Sequence, residues 1–348
     1  MKKTFLVPLV VLFVAAFVLV GRFEPVQAGE RATVLRLAHS TSPKSKAHSN
    51  FLVPWTEEIK KATGGKVQID IYPSATLVDK KALLEGVKRG RADMAWGCTL
   101  YWRGRFHLSE VLALPLLGFE TGESASRTYW RLYEEFPEVQ AEYAGLKMLF
   151  TNYIGPYILT TAKKPVTSLS DVKGLKIRAG GGVQTEVMKA LGAAPSYMGF
   201  ADLYQALDKG VMDGALLPWE AVSSFKFYEV VDYAFDEPFS GTTCFCVMNQ
   251  KKWDGLPPDI REIIEGLSYE KASAEMGRVY DVKEEARSLV AKSGHKLEVN
   301  HLEPSAREEW TNNLQPIREK WIADANAKGL PGQKVLDRTL ELAEEVAK

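Results

Sequence analysis

Val67-Gln68-Ile69-Asp70-Ile71-Tyr72-Pro73, arriving directly after the helix stop Gly64-Gly65, decides the fold class. Apolar and polar residues alternate strictly, which is the period of a strand, and Pro73 ends it. Upstream, Ala47 to Thr63 carries apolar residues at helical spacing, and Thr33-Val34-Leu35-Arg36-Leu37-Ala38 reads as a strand before it. Downstream, Lys80 to Arg89 reads as a helix stopped by Gly90, followed by the short strand Ala92-Asp93-Met94-Ala95-Trp96. Strands alternating with helices form βαβ units, so the chain is α/β with a largely parallel sheet.

The pattern restarts near residue 150. Leu146 to Phe150 and Tyr157 to Thr161 read as strands, and Ser170-Asp171-Val172-Lys173-Gly174 as a turn into the strand Leu175-Lys176-Ile177-Arg178. The run Gly180-Gly181-Gly182 then precedes helices from about Gln184 to Leu191 and from Asp202 to Lys209. Thr243 to Met248 has the composition of a buried strand and could return to the first unit. From Pro258 the chain is mostly helical, interrupted at Ser293-Gly294, at a short strand Lys296 to Val299, and at Glu303-Pro304. Such interleaving predicts two domains joined by several crossing segments, with the ligand site in the cleft between them.

The N-terminus reads Met1-Lys2-Lys3, an apolar run Phe5 to Val20, and a small residue at the end of Val26-Gln27-Ala28. This is the pattern of a secretory signal peptide, with cleavage expected after about Ala28. The apolar run is 16 residues, short of the ~20 that span a bilayer, though a retained anchor is the alternative. Loss of Lys2, Lys3, Arg22 and Glu24 leaves a net charge of about −2, no footprint for nucleic acid or an anionic membrane. The mature protein is therefore expected outside the cytoplasm and not embedded in the membrane. With 46% hydrophobic and 25% charged residues the composition is globular, and 320 mature residues exceed what one core usually holds. Cys244 and Cys246 are two apart in an apolar run, so they face the same side of a strand and cannot readily bridge each other. Buried free thiols are expected, with a long-range bridge to Cys98 as the alternative.

No Gly-x-Ser-x-Gly elbow, His-Glu-x-x-His pair or phosphate-binding Gly-x-x-x-x-Gly-Lys-Ser/Thr loop occurs, and the five histidines have no ligand-type spacing. No catalytic residue, metal site or cofactor is expected. The most chemical stretch is Arg178 followed by the glycine run. A guanidinium pairs bidentately with a carboxylate, and amides at a helix start can face an anion. Spacing alone favours a solvated strand-end arginine beside a tight turn. Trp96, Tyr101, Trp102, Tyr153, Tyr157, Tyr197 and Trp219 sit near loop-like breaks, where aromatics line either a ligand pocket or the core. Glu220 can hold a ligand amine or hydroxyl, or lie on a surface helix. Asp213-Gly214 reads as turn chemistry.

From Leu37 to about Leu267 the chain resembles the solute-binding proteins of TRAP transporters, the tripartite ATP-independent periplasmic importers. The matching stretches are Thr63-Gly64-Gly65-Lys66-Val67 leading to Ile71-Tyr72-Pro73, then Gly90-Arg91-Ala92-Asp93-Met94 and Leu114-Pro115. They continue with Lys173-Gly174-Leu175-Lys176-Ile177-Arg178, and with Tyr204-Gln205-Ala206-Leu207 leading to Gly210-Val211-Met212-Asp213-Gly214. The resemblance implies an α/β, two-domain periplasmic binding-protein fold with mixed, mostly parallel sheets. It also implies a hinge and a long domain-spanning helix, here within Pro257 to Ala291. The expected division is 29–152 with about 243–278, then 153–242 with about 279–310, and C-terminal helices 311–348 packed on the domains. The domains close on the ligand like a flytrap, and a membrane permease driven by an ion gradient receives it.

The resemblance assigns Arg178 the salt bridge to a ligand carboxylate. The other expected cleft residues are His39, Trp96, Gly97, Trp102 and Tyr153, with Gly180, Leu217, Trp219 and Glu220 on the far side. Sialic-acid-binding members have Gln-Glu-Asn-Pro where this chain has Ala215-Leu216-Leu217-Pro218, and a glutamate where it offers Trp96. Their second arginine has no counterpart around Tyr153 to Thr161. The ligand is therefore expected to be a monocarboxylate with an apolar or aromatic body, such as an aryl-acetate, an aryl-2-oxo acid or a mandelate-like acid. The alternatives are a small sulfonate or aliphatic acid, and a sensory subunit or enzyme on the same scaffold.

Overall fold

Leu35 and Leu37 alternate inward along β1 (Thr33–His39), which pairs in parallel with β2 (Val67–Tyr72) on one side and with β3 (Met94–Cys98) on the other. A computed structural model of the chain describes residues 32–346; the expected signal segment 1–28 lies outside the described residues. The remaining strands are β4 (Leu146–Thr161), β5 (Lys176–Ala179), β6 (Ala194–Tyr197), β7 (Gly214–Pro218), β8 (Tyr233–Asn249) and β9 (Glu298–Asn300). They run in the order β2-β1-β3-β8-β4-β7-β5-β6, with β9 paired to β8. The pairings are parallel except where β8 meets β3 and β4 and where β4 meets β7. The sheet is thus mixed and mostly parallel, as expected.

Two strands belong to both halves of the molecule. β4 has 16 residues and β8 has 17, against ~5–6 for an ordinary strand. Leu146–Ile154 of β4 pairs with the Thr242–Asn249 end of β8, beside β3. Past a register shift between Ile154 and Tyr157, the Tyr157–Thr161 end pairs with β7 and with the Tyr233–Ser240 part of β8. The sequence read β4 as two strands because Gly155 and Pro156 signal a break. It saw only the end of β8, because Pro238 and Gly241 interrupt the apolar pattern. Tertiary pairing overrides both local signals. Gly241 is required there: a Cβ on it would fall inside the Tyr153 ring.

The long helix expected within 257–291 is three helices, Pro258–Gly266, Tyr269–Arg278 and Lys283–Ser293. The chain breaks at Leu267-Ser268, where Tyr269 takes a positive φ of 60°, and again after Arg278. A longer helix, Arg307–Asn326 with 20 residues, lies further on. Its Trp310 and Leu314 pack with Val187, Met188 and Phe235 of the second half. Its Trp321 packs with Leu108, Tyr129 and Leu336 of the first. Pro316 sits between those anchor points, where a proline removes one helical hydrogen bond.

The cysteines differ from expectation. Cys98 and Cys244 are bridged across directly opposed positions of β3 and β8, and only Cys246 is a buried free thiol.

Candidate functional site

The ends of β1, β3, β5 and β7 open onto a cleft of about 390 Å³ between the two halves. Ligands of open α/β sheets bind outside the carboxyl ends of the strands, and the volume lies within the ~300–1,000 Å³ usual for small-molecule sites. The first half contributes Ser40, Trp96, Leu100 and Tyr101, and the second contributes Tyr157, Arg178, Tyr197, Phe200 and Glu220.

Arg178 is held from three sides. β5 runs between β6 and β7, so the side chain leaves the strand among neighbouring backbone carbonyls. Its Nε–H donates to the Met198 carbonyl at 2.8 Å and its Nη1 to the Leu216 carbonyl at 3.2 Å. The guanidinium carbon sits 4.5 Å from the centre of the Phe200 ring. The residue is 7% exposed, and no carboxylate among the described residues pairs with it. Burial pulls its pKa down, but a guanidinium stays charged near neutrality. An aligned, desolvated cation without a counter-ion costs several kcal/mol unless a ligand supplies the anion. The solvated strand-end alternative is thereby removed.

The glycine run has a different role from the one expected. The Gly180 N–H donates to Gln184 Oε1 at 2.8 Å, so that amide is already occupied. Gly181 and Gly182 take φ of 102° and 53°, conformations that favour glycine, and together they turn the chain from β5 into the helix Val183–Ala190. That helix start faces Glu110 in a separate small crevice.

Of the residues anticipated for the site, Trp96, Arg178, Gly180 and Glu220 line one cleft, and six do not. Strand alternation sends Trp96 and Cys98 to the cleft and turns Gly97 toward the Trp102 ring. Trp102 donates its indole N–H to the Lys81 carbonyl at 2.7 Å and stacks on Phe245, while its neighbour Tyr101 enters the cleft. Tyr153 packs against Phe119 on the opposite face, and Ile154 takes its place. Leu217 and Trp219 belong to the core around Leu203 and Phe227, with the Trp219 indole bonded to Asp236 at 3.0 Å; Pro218 lines the cleft between them. His39 lies behind Trp96, ring centroids 5.9 Å apart. Phe200, Lys80, Tyr280 and the Ser40–Ser42 loop were not anticipated. Of these only the hydroxyl-rich Ser40-Thr41-Ser42, directly following a strand, carried a readable signal.

The buried His39 makes this end of β1 acid-sensitive. Its Nδ1 accepts the Thr41 N–H at 3.2 Å, and its Nε2 meets His48 Nδ1 at 3.0 Å, an arrangement that suits a neutral ring. Burial, then the adjacent His48, push its pKa from 6.5 down to about 4. Between those values the unfolded chain binds more protons, so the stabilisation is complete above pH 6.5 and is lost as pH falls toward 4. The shift corresponds to on the order of 3 kcal/mol. Denaturant unfolding of wild type and His39→Gln across this window should give curves that converge at low pH; parallel curves would contradict the assignment.

Two half-sheets sharing long strands, with a cleft at the strand ends holding an arginine without a counter-ion, define a periplasmic-type solute-binding protein. The chain belongs to the bacterial extracellular solute-binding protein family 7, whose family model matches residues 37–324, and it is a solute-binding protein of the TRAP type. It is 27% identical over 318 residues to the C4-dicarboxylate-binding periplasmic protein DctP of Rhodobacter capsulatus, covering 86% of this chain and 90% of that one. Among solved structures it is similar to a TRAP solute-binding protein of Rhodoferax ferrireducens in complex with copurified benzoate. That match has a TM-score of 0.82 and 28% identity, covering 91% of this chain and 99% of the other. A TRAP protein of Bordetella bronchiseptica with bound (R)- and (S)-mandelate matches with a TM-score of 0.81 and 29% identity, covering 90% and 99%. Among the described residues, no helix is long and apolar enough to cross a membrane, and no cluster of three metal-ligating side chains occurs.

Proposed function

We propose that this protein captures a monocarboxylate with an aromatic or apolar body and delivers it to a TRAP permease after export and cleavage near Ala28. The observation that carries this reading is the buried, unpaired Arg178 in a cleft walled by Trp96, Tyr101, Tyr157, Tyr197 and Phe200. Benzoate and mandelate in proteins 28% and 29% identical support it. The C4-dicarboxylate relative points the other way, and Lys80 at the cleft could receive a second carboxylate. Glu220, buried in the same wall, weighs against it, because like charges in a desolvated site repel. We place the hinge where β4 and β8 change partners, near Ile154 to Tyr157 and Gly241.

Mature protein from a periplasmic extract, its first residue read by intact mass, would be screened by thermal shift. The panel holds aryl monocarboxylates, C4-dicarboxylates, sugar acids, sulfonates and short aliphatic acids. Aryl monocarboxylates should raise Tm most. Stabilisation confined to dicarboxylates or sugar acids would overturn the reading.

A further inference from the structure

Two polar side chains line the cleft with hydrogen-bonding capacity the protein leaves unused. Glu220 is 5% exposed; its Oε1 accepts from Ser224 Oγ at 2.8 Å and from the Lys46 N–H at 3.5 Å, and its Oε2 receives nothing from the described residues. Tyr280 is 6% exposed, and its hydroxyl makes no hydrogen bond to the described residues. Both residues line the cleft, and neither oxygen is among the sealed, unpartnered polar atoms of the described residues. Burial pushes the Glu220 carboxyl up, and burial followed by the nearby Glu220 charge pushes the Tyr280 phenol up. Both groups line the same cleft.

The chemistry of this pair is selective. A carboxylate only accepts, whereas a phenol can donate. One hydroxyl group serves both, sending its proton to Glu220 and accepting from Tyr280. A purely apolar ligand would bury both groups without partners, and a second carboxylate would be repelled. We infer that the ligand is a hydroxylated carboxylic acid, its carboxylate on Arg178 and its hydroxyl between Glu220 and Tyr280. This rests on the carboxylate reading of Arg178 and narrows the ligand class at the same site.

Calorimetric Kd values for phenylacetate, 3- and 4-hydroxyphenylacetate and mandelate would test it. At least one hydroxylated acid should bind about tenfold or more tighter than the parent, because a site built around a hydroxyl rejects the analogue lacking it. Tyr280→Phe and Glu220→Met should each remove most of that preference, in part by tightening phenylacetate, which no longer leaves that group without a partner. Equal affinities across the series, or a preference that survives both substitutions, would overturn the inference. Arg178→Ala, measured alongside, separates the two levels. If it still binds, the carboxylate reading fails; if it does not and no hydroxyl preference exists, only the inference fails.

Discussion

Arg178→Ala should abolish ligand binding, weakening Kd by roughly two to four orders of magnitude. Removing one partner of a buried, hydrogen-bonded charge pair costs ~3–5 kcal/mol, much of it from the charge left behind. On the proposed reading that charge is the ligand carboxylate, and among the described residues no other arginine lines the cleft to take it. Arg178→Lys should fall between, because an ammonium keeps the charge but cannot reproduce the fork that reaches Met198, Leu216 and the ligand together. Ligand-free Arg178→Ala should unfold no more easily than wild type, since it sheds a desolvated cation. Calorimetry with the strongest acid from the screen, paired with thermal unfolding, reads both quantities. Affinity within a few-fold of wild type would remove Arg178 from the site.

The second large effect concerns stability. Gly277→Ala should lower it by about 2 kcal/mol, although alanine favours a helix over glycine by ~1 kcal/mol. The helices Gly122–Glu135 and Tyr269–Arg278 cross in backbone contact at this point. A Cβ on Gly277 would lie 2.7 Å from the Gly122 carbonyl carbon and closer still to its oxygen and to Ser126 Oγ. Overpacking costs ~1–3 kcal/mol, or more where backbone must move, so the steric term outweighs propensity. Displacement would also spread, because Ser126 Oγ donates to the Gly122 carbonyl at 2.6 Å and accepts the Tyr153 N–H of β4 at 2.9 Å. Denaturant unfolding checks it, and an unchanged midpoint would show that the crossing can relax.

Much of this molecule was legible because its short strands alternate cleanly. β1, β2 and β5 lie where Thr33–Ala38, Val67–Tyr72 and Leu175–Arg178 put them, to within a residue. Arg178 stands out only through the motif around it, since spacing alone favours a solvated residue. The expected site residues that lie outside the cleft follow one pattern. Trp102 was chosen over Tyr101, Tyr153 over Ile154, and Leu217 and Trp219 over Pro218, each a neighbour one step away. Alternation groups residues by face, but a sheet covered on both sides is apolar on both, so the sequence does not mark the face turned to the ligand. Tyr280 was invisible for another reason. It lies between two helices, with no periodicity of its own, and reaches the cleft only through tertiary packing.

The strands β4 and β8 carry a consequence for how such a protein can vary. Each half-sheet contains part of both strands, so neither half is an unbroken piece of the gene. Neither could be excised, duplicated or exchanged as a cassette without taking strand partners from the other. A change of ligand preference then has to come from replacements around the cleft, at strand ends such as Trp96 and Pro218 and at Glu220 in the helix Trp219–Ser224, rather than from exchange of a half.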